Sequence, residues 1–246
     1  LDLPVNMKID NNGARTNLWL TGLTSSSALC ITGSVTVVAR LLVRNFAYSN
    51  LVNSVAIFLN NGYAFQSGVG EEFGFFPVDS SRKTGAQGYP YVLHGKYDNG
   101  QYAQATIKME TNRWYDVAMS VNALGGGRCQ VIFGVADALD GNMTGTVFQT
   151  VTKSTGFFTN APSASASSRS IVIGGEVLGG WTAIGPQSAV AHAFNGSIQR
   201  IALWPRALSK DEIAQILFGA FEVPEGTKVL VGGTEQQSGV TVNDFT

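Results

Sequence analysis

Charge is what this sequence has least of. Lys, Arg, Asp and Glu make up 13% of its 246 residues, about half the quarter usual in globular domains. They sum to a formal net charge of −1. The polar surface must then come mostly from Ser, Thr, Asn, Gln and backbone, which suits neutral hydroxyl-rich partners better than polyanions. No basic run is present, so nucleic acid is set aside as a partner. Histidine is nearly absent, at two residues, and no CxxC or His-rich cluster exists, so no zinc site is expected. The two cysteines, Cys30 and Cys129, lie in apolar-alternating stretches and leave a disulfide and two buried thiols both open. Long apolar runs are missing as well. Hydrophobic residues are 44% and the mean hydropathy is +0.10, yet no stretch nears the roughly 18 residues of a membrane span. That apolar content belongs to a buried core. No charged-then-apolar leader opens the chain at Leu1, which leads us to expect a processed or excised domain.

What is present is alternation. In "SVTVVARLLVR", Val35, Val37, Ala39, Leu41 and Val43 share one face, with Thr36, Arg40 and Arg44 on the other. "YAQATIKME" sets Ala103, Ala105, Ile107 and Met109 against Gln104, Thr106 and Lys108, and "WYDVAMSVN" sets Tyr115, Val117, Met119 and Val121 against Asp116 and Ser120. A wet face and a dry face on each strand predict antiparallel sheets packed face to face. "NNG" at 60–62, "DNG" at 98–100, "LGGG" at 124–127 and "DGN" at 140–142 supply residues that tolerate positive φ at turns. Strands recurring every ten to fifteen residues or so favour a sandwich over βαβ units.

One helix interrupts this rhythm. "SKDE" at 209–212 is a capping box, in which the Ser209 hydroxyl accepts from the Glu212 N–H and the Glu212 carboxylate accepts from the Ser209 N–H. Asp211 and Glu212 suit the positive end of the helix dipole. Ile213, Ile216 and Leu217 form one apolar stripe. The element is short, so it must pack on the sandwich; the expectation is a structural lid on the end of the β core.

The run Phe194, Gly196, Ile198, Ile201, Leu203, Arg206, Ala207, Leu208, Ser209, Glu212, Ile213 resembles the closing signature of laminin-G-like domains, within the concanavalin A-like lectin/glucanase superfamily. "RWYDVAMSVN" (113–122) and "SIVIGG" (170–175) are similar to two further strands of that family. The resemblance spans roughly residues 28 to 220. It implies an all-β jelly-roll sandwich of two antiparallel sheets with one short helix near the C-terminus. The domain is then read as 1–220, with 221–246 as an extension that packs back or links to a neighbour.

Relatives of this kind include binders and enzymes, so function rests on sites. The glucanase Glu-x-Asp-x-x-Glu strand is absent, and "EEF" puts Glu71 and Glu72 on opposite faces, so a retaining glycosidase is set aside. For sugar binding, the aromatics in loop-like contexts are Tyr89, Tyr91, Tyr97 and Trp181, joined by Asp98 and Asn99. Trp114 and Trp204 fit strand patterns and read as core, while Trp19 fits either. The enzymatic alternative is a polysaccharide lyase acting by β-elimination, with His94 and Tyr97 for the proton steps and Arg82 and Lys96 as electrophilic aids. It lacks the strands that lyase relatives carry. Calcium is common among such relatives; the candidate ligands Asp98 with Asn99, Asp137 with Asp140, and Asp79 are equally explained as turn residues. The first reading is a non-catalytic, carbohydrate-binding module on an extracellular, cell or virion surface. The third is a structural adhesin, fibre or decoration protein that assembles through its β-prone tail.

Overall fold

The computed structural model describes residues 5–7, 18–23, 33–47, 54–60, 70–78, 84–94, 101–126, 128–138, 146–153, 169–177, 190–191, 194–217, 228–231 and 234–236. In chain order the elements are β1 (Val5–Met7), β2 (Leu18–Leu23), β3 (Val35–Val43), β4 (Phe46–Ala47), β5 (Ser54–Asn60), β6 (Gly70–Pro77), β7 (Thr84–Gly85), β8 (Gln87–His94), β9 (Gln101–Gln104) and β10 (Met109–Glu110). They continue with β11 (Trp114–Gly125), β12 (Arg128–Asp137), β13 (Val147–Lys153), β14 (Arg169–Ile173), β15 (Glu176–Val177), β16 (Val190–Ala191), β17 (Gly196–Trp204), α1 (Lys210–Leu217), β18 (Lys228–Val231) and β19 (Thr234–Gln236).

Two sheets carry the fold. An eight-stranded sheet runs β13-β12-β11-β3-β17-β18-β19, with β1 also on β17; a seven-stranded sheet runs β10-β8-β6-β5-β14-β2, with β9 also on β8. The chain crosses between them after β1, β2, β3, β10, β13 and β14, so neighbours in space come from distant segments. This shuttling between two antiparallel layers is a jelly-roll sandwich. The alternating faces point as their patterning requires. Val35, Val37, Ala39, Leu41 and Val43 meet Phe73, Phe75, Val92, Ala103, Ile171 and Phe194 in one inter-sheet core. Phe46 and Phe75 pack edge to face at 6.3 Å there. Cys129 sits in this core as a free thiol, and burial pushes it up to about 11.

The helix does not close the end of the sandwich. It lies on the outer face of the eight-stranded sheet, where Ile213, Ile216 and Leu217 cover Val38, Ala118, Ala136 and Trp204. The reason is in the sheet itself. Gly134 of β12 leaves room, since a Cβ there would sit 3.1 Å from Ile213 Cγ2 and 3.2 Å from Leu217 Cδ1. The approach to the helix is clipped down by two sheet hydroxyls. Thr36 accepts from the Leu208 N–H at 2.9 Å and faces the Arg206 carbonyl at 2.9 Å, while Ser120 donates to the Leu208 carbonyl at 2.9 Å. Farther along the same face, Asp116 accepts from Arg40 (3.0 and 2.7 Å) and from Arg200 (3.0 Å). The Asp116 hydrogen bond raises the Arg40 pKa against an opposing desolvation.

Two tail segments join the eight-stranded sheet along one edge of β17. β1 pairs with its start (Val5 opposite Ile198, Met7 opposite Gly196), and β18 pairs with its end (Ala202 opposite Val229). Residues 228–231 thus pack back on the body of the fold.

Candidate functional site

The outer face of the seven-stranded sheet carries a ladder of aromatic side chains. Directly opposed residues of antiparallel strands share a face. The β6–β8 register sets Glu72, Gly74 and Phe76 opposite Leu93, Tyr91 and Tyr89, and the β8–β9 register adds Tyr102 and Gln104 to that outward face. Gly74 has no side chain to fill the space before Tyr91, so the Tyr91 ring can lie across β6. There it stacks on Phe76, with centroids 3.8 Å apart and planes at 16°. Its hydroxyl donates to Glu72 Oε1. Tyr91 is 0% exposed and Glu72 2%, so this pair is a buried foundation rather than a surface.

The surface lies one ring outward. Phe76 meets Tyr102 edge-on at 6.1 Å and 82°, and Tyr102 is 49% exposed. Lys153, the last residue of β13, places Nζ 5.5 Å from the Tyr102 centroid. The two belong to different sheets, and the edges of those sheets meet at this point. Gln149 Oε1 of β13 accepts from the Thr106 N–H at 2.6 Å and from its hydroxyl at 3.0 Å. The result is a rim with a half-exposed ring, an ammonium beside it, and amide and hydroxyl groups along the seam. Chemically it can hold a ring-shaped ligand by stacking and hydrogen bonding.

The structure divides the expected site residues. Tyr89 and Tyr91 belong to strand β8, not to a loop, and share its outward face: Tyr89 is half-buried and Tyr91 is buried. His94 ends β8, its backbone opposite Glu71 and Gln101. Asp137 is ion-paired with Arg113. Among the described residues no three His, Cys, Asp or Glu side chains gather where a metal ion can be held. Trp181, Tyr97, Asp98, Asn99, Arg82, Lys96, Asp79 and Asp140 lie outside the described residues. Trp204 is buried as expected, but under α1. Trp114 is not core: it is half-buried at the start of β11, opposite Leu42, whose even-numbered neighbours face outward.

Phe76, Tyr102 and Lys153 were not among the expected residues. The signal for Tyr102 was present, because it continues the outward row Gln104, Thr106, Lys108, where an aromatic is out of place. Lys153 had no such signal, since only the meeting of β13 with β9 brings it to the ring.

No protein-family model matches the chain, and no curated protein does. Solved structures do. The CBM40 of a Ruminococcus gnavus IT-sialidase bound to α2,3-sialyllactose aligns at 13% identity over 77% of this chain and 84% of that one, with a TM-score of 0.49. The CBM2 module of a Lactobacillus casei BL23 phage J-1 evolved Dit aligns at 12% identity over 75% and 65%, with a TM-score of 0.33. A PL-14 alginate lyase from Aplysia kurodai aligns at 13% identity over 80% and 85%, with a TM-score of 0.35. Likeness at these levels assigns no activity. The sandwich itself is established by the strand pairing.

Proposed function

We propose that this chain is a non-catalytic carbohydrate-recognition module, laminin-G-like in kind, working on an extracellular, cell or virion surface. The half-exposed Tyr102 ring at the meeting of the two sheet edges carries this reading. A pyranose presents a flat C–H face that packs on such a ring, and its hydroxyls need the donors and acceptors that Gln104, Thr106, Gln149 and Lys153 supply. Phe76 against one edge and the Tyr91–Glu72 pair below hold the platform in place. Trp181, Tyr97, Asp98 and Asn99 belong to the proposal as further ligand contacts. An open sheet face gives modest affinity, so repeated copies or neighbouring modules would raise it.

A glycan array followed by calorimetry on the intact chain tests this, with and without calcium. The expected result is binding to at least one glycan, weakened about tenfold in Tyr102→Ala, the loss of roughly 1.4 kcal/mol of ring contact. An array blank in both conditions would overturn it. Release of unsaturated uronate in the same samples would replace it with the lyase alternative built on His94, Tyr97, Arg82 and Lys96.

A further inference from the structure

The chain's low charge favours neutral partners as a whole, but the rim departs from the whole. Four of the described arginines, Arg40, Arg113, Arg200 and Arg206, share carboxylates with Asp116, Asp137 or Glu212. Lys153 enters no ion pair with any described residue, and its ammonium rests over the Tyr102 ring instead. The acid on the same cross-strand row, Glu72, is buried and accepts from Tyr91. Among the described residues, the seam beside the lysine carries the neutral Gln149 and Thr106. An exposed ring holds an ammonium only weakly, and a four-carbon arm lets that ammonium leave the ring for a better partner.

We propose that the Tyr102–Lys153 rim selects sugars bearing an anionic group, a uronate carboxylate or a sulfate ester, over their neutral counterparts. This rests on the carbohydrate reading of the same site. A pyranose lying against the exposed part of Tyr102 brings its ring substituents within reach of Lys153 Nζ. An anion there gains a charge-assisted hydrogen bond without displacing a carboxylate of any described residue. A hydroxyl at the same place gains only an ordinary one.

The test uses the intact chain and three probes of matched length: a polyuronate, a sulfated galactan and a neutral galactan, each titrated by calorimetry. The variants are Lys153→Gln, Lys153→Arg and, as a control of equal charge change, Lys210→Gln. Lys210, in α1, also lies over an aromatic ring, that of Phe148 of the same strand β13, but on the outer face of the eight-stranded sheet under the helix. The wild type is expected to bind one or both anionic probes about tenfold tighter than the neutral one. That preference should shrink as salt rises from about 0.05 to 0.5 M. It should vanish in Lys153→Gln, which loses far more affinity for the anionic probe than for the neutral one, and survive in Lys153→Arg and Lys210→Gln. Which anionic probe responds separates carboxylate from sulfate. Equal binding of neutral and anionic probes by the wild type would overturn this inference while leaving carbohydrate recognition standing. An equal loss in Lys210→Gln would also overturn it, as a general charge effect. Failure of all three probes to bind would remove the inference together with the reading it rests on.

Discussion

At the scale of single residues, the proposed platform rests on a side chain with no exposed surface. Tyr91 is buried against Phe76 and gives its hydroxyl proton to the buried Glu72. Removing that donor leaves a desolvated carboxylate with one hydrogen bond fewer, which costs about 1–3 kcal/mol. Tyr91→Phe should therefore lower the urea midpoint at unchanged slope. Because Phe76 keeps its ring partner in this variant, glycan affinity should fall less than in Tyr102→Ala. An unaltered urea midpoint would show that the Tyr91 hydroxyl contributes nothing to the platform. The acid's position was readable in advance, for "EEF" on a strand must send Glu71 and Glu72 to opposite faces. Its partner was not, because Tyr91 lies 19 residues away and register decides which tyrosine arrives.

At the scale of elements, α1 is the part most fully written in its own residues. Both capping-box hydrogen bonds are present, Glu212 N–H to Ser209 Oγ at 3.2 Å and Ser209 N–H to Glu212 Oε2 at 2.8 Å. The Arg206 guanidinium adds a bond to Glu212 Oε1 at 2.6 Å. The Arg206 hydrogen bond, against desolvation and with lesser help from the Ser209 groups, holds the Glu212 carboxyl down to about 2. A pKa lowered on folding stabilises the folded state at pH values above the ordinary carboxyl range. That contribution fades as pH falls through about 2, when the carboxylate protonates in the folded chain too. The melting-point gap between wild type and Glu212→Gln should therefore be full at neutral pH and close in strong acid. Ser209→Ala should cost about 1 kcal/mol at neutral pH. A gap that persists unchanged to pH 2 would refute this assignment. What the helix's own residues did not contain was its destination. The stripe said that it packs, and Gly134 with Trp204 on the distant strands β12 and β17 decided where.

At the scale of the whole molecule, β17 is the strand on which both ends of the described chain converge. β3 occupies one edge of it, and β1 and β18 share the other. A Cβ on Gly196, where β1 and β3 flank β17, would overlap the Leu42 carbonyl oxygen and stand 2.6 Å from the Phe194 ring. An uncovered edge offers unpaired N–H and C=O groups to other chains. Deleting residues 221–246 should then lower the thermal midpoint and make the protein self-associate, as seen by light scattering. A shortened chain that stays monomeric and equally stable would make the tail dispensable to the fold. A stable, defined oligomer of the intact chain would instead favour the structural-adhesin alternative.

The sequence by itself determined the class of fold, the faces of β3, β9 and β11, the presence and cap of α1, and the separation of Glu71 from Glu72. These are consequences of a two-residue or a 3.6-residue period and of hydrogen bonds closed within one turn, all of them local. Only the tertiary structure decided that Tyr91 is a buried support while Tyr102 is the exposed ring, that Trp114 faces outward, and that Lys153 stands beside Tyr102. The physical reason is that alternation tells which side chains share a face but not what covers that face. Cover and neighbourhood come from the pairing of strands and the meeting of sheet edges that lie far apart along the chain.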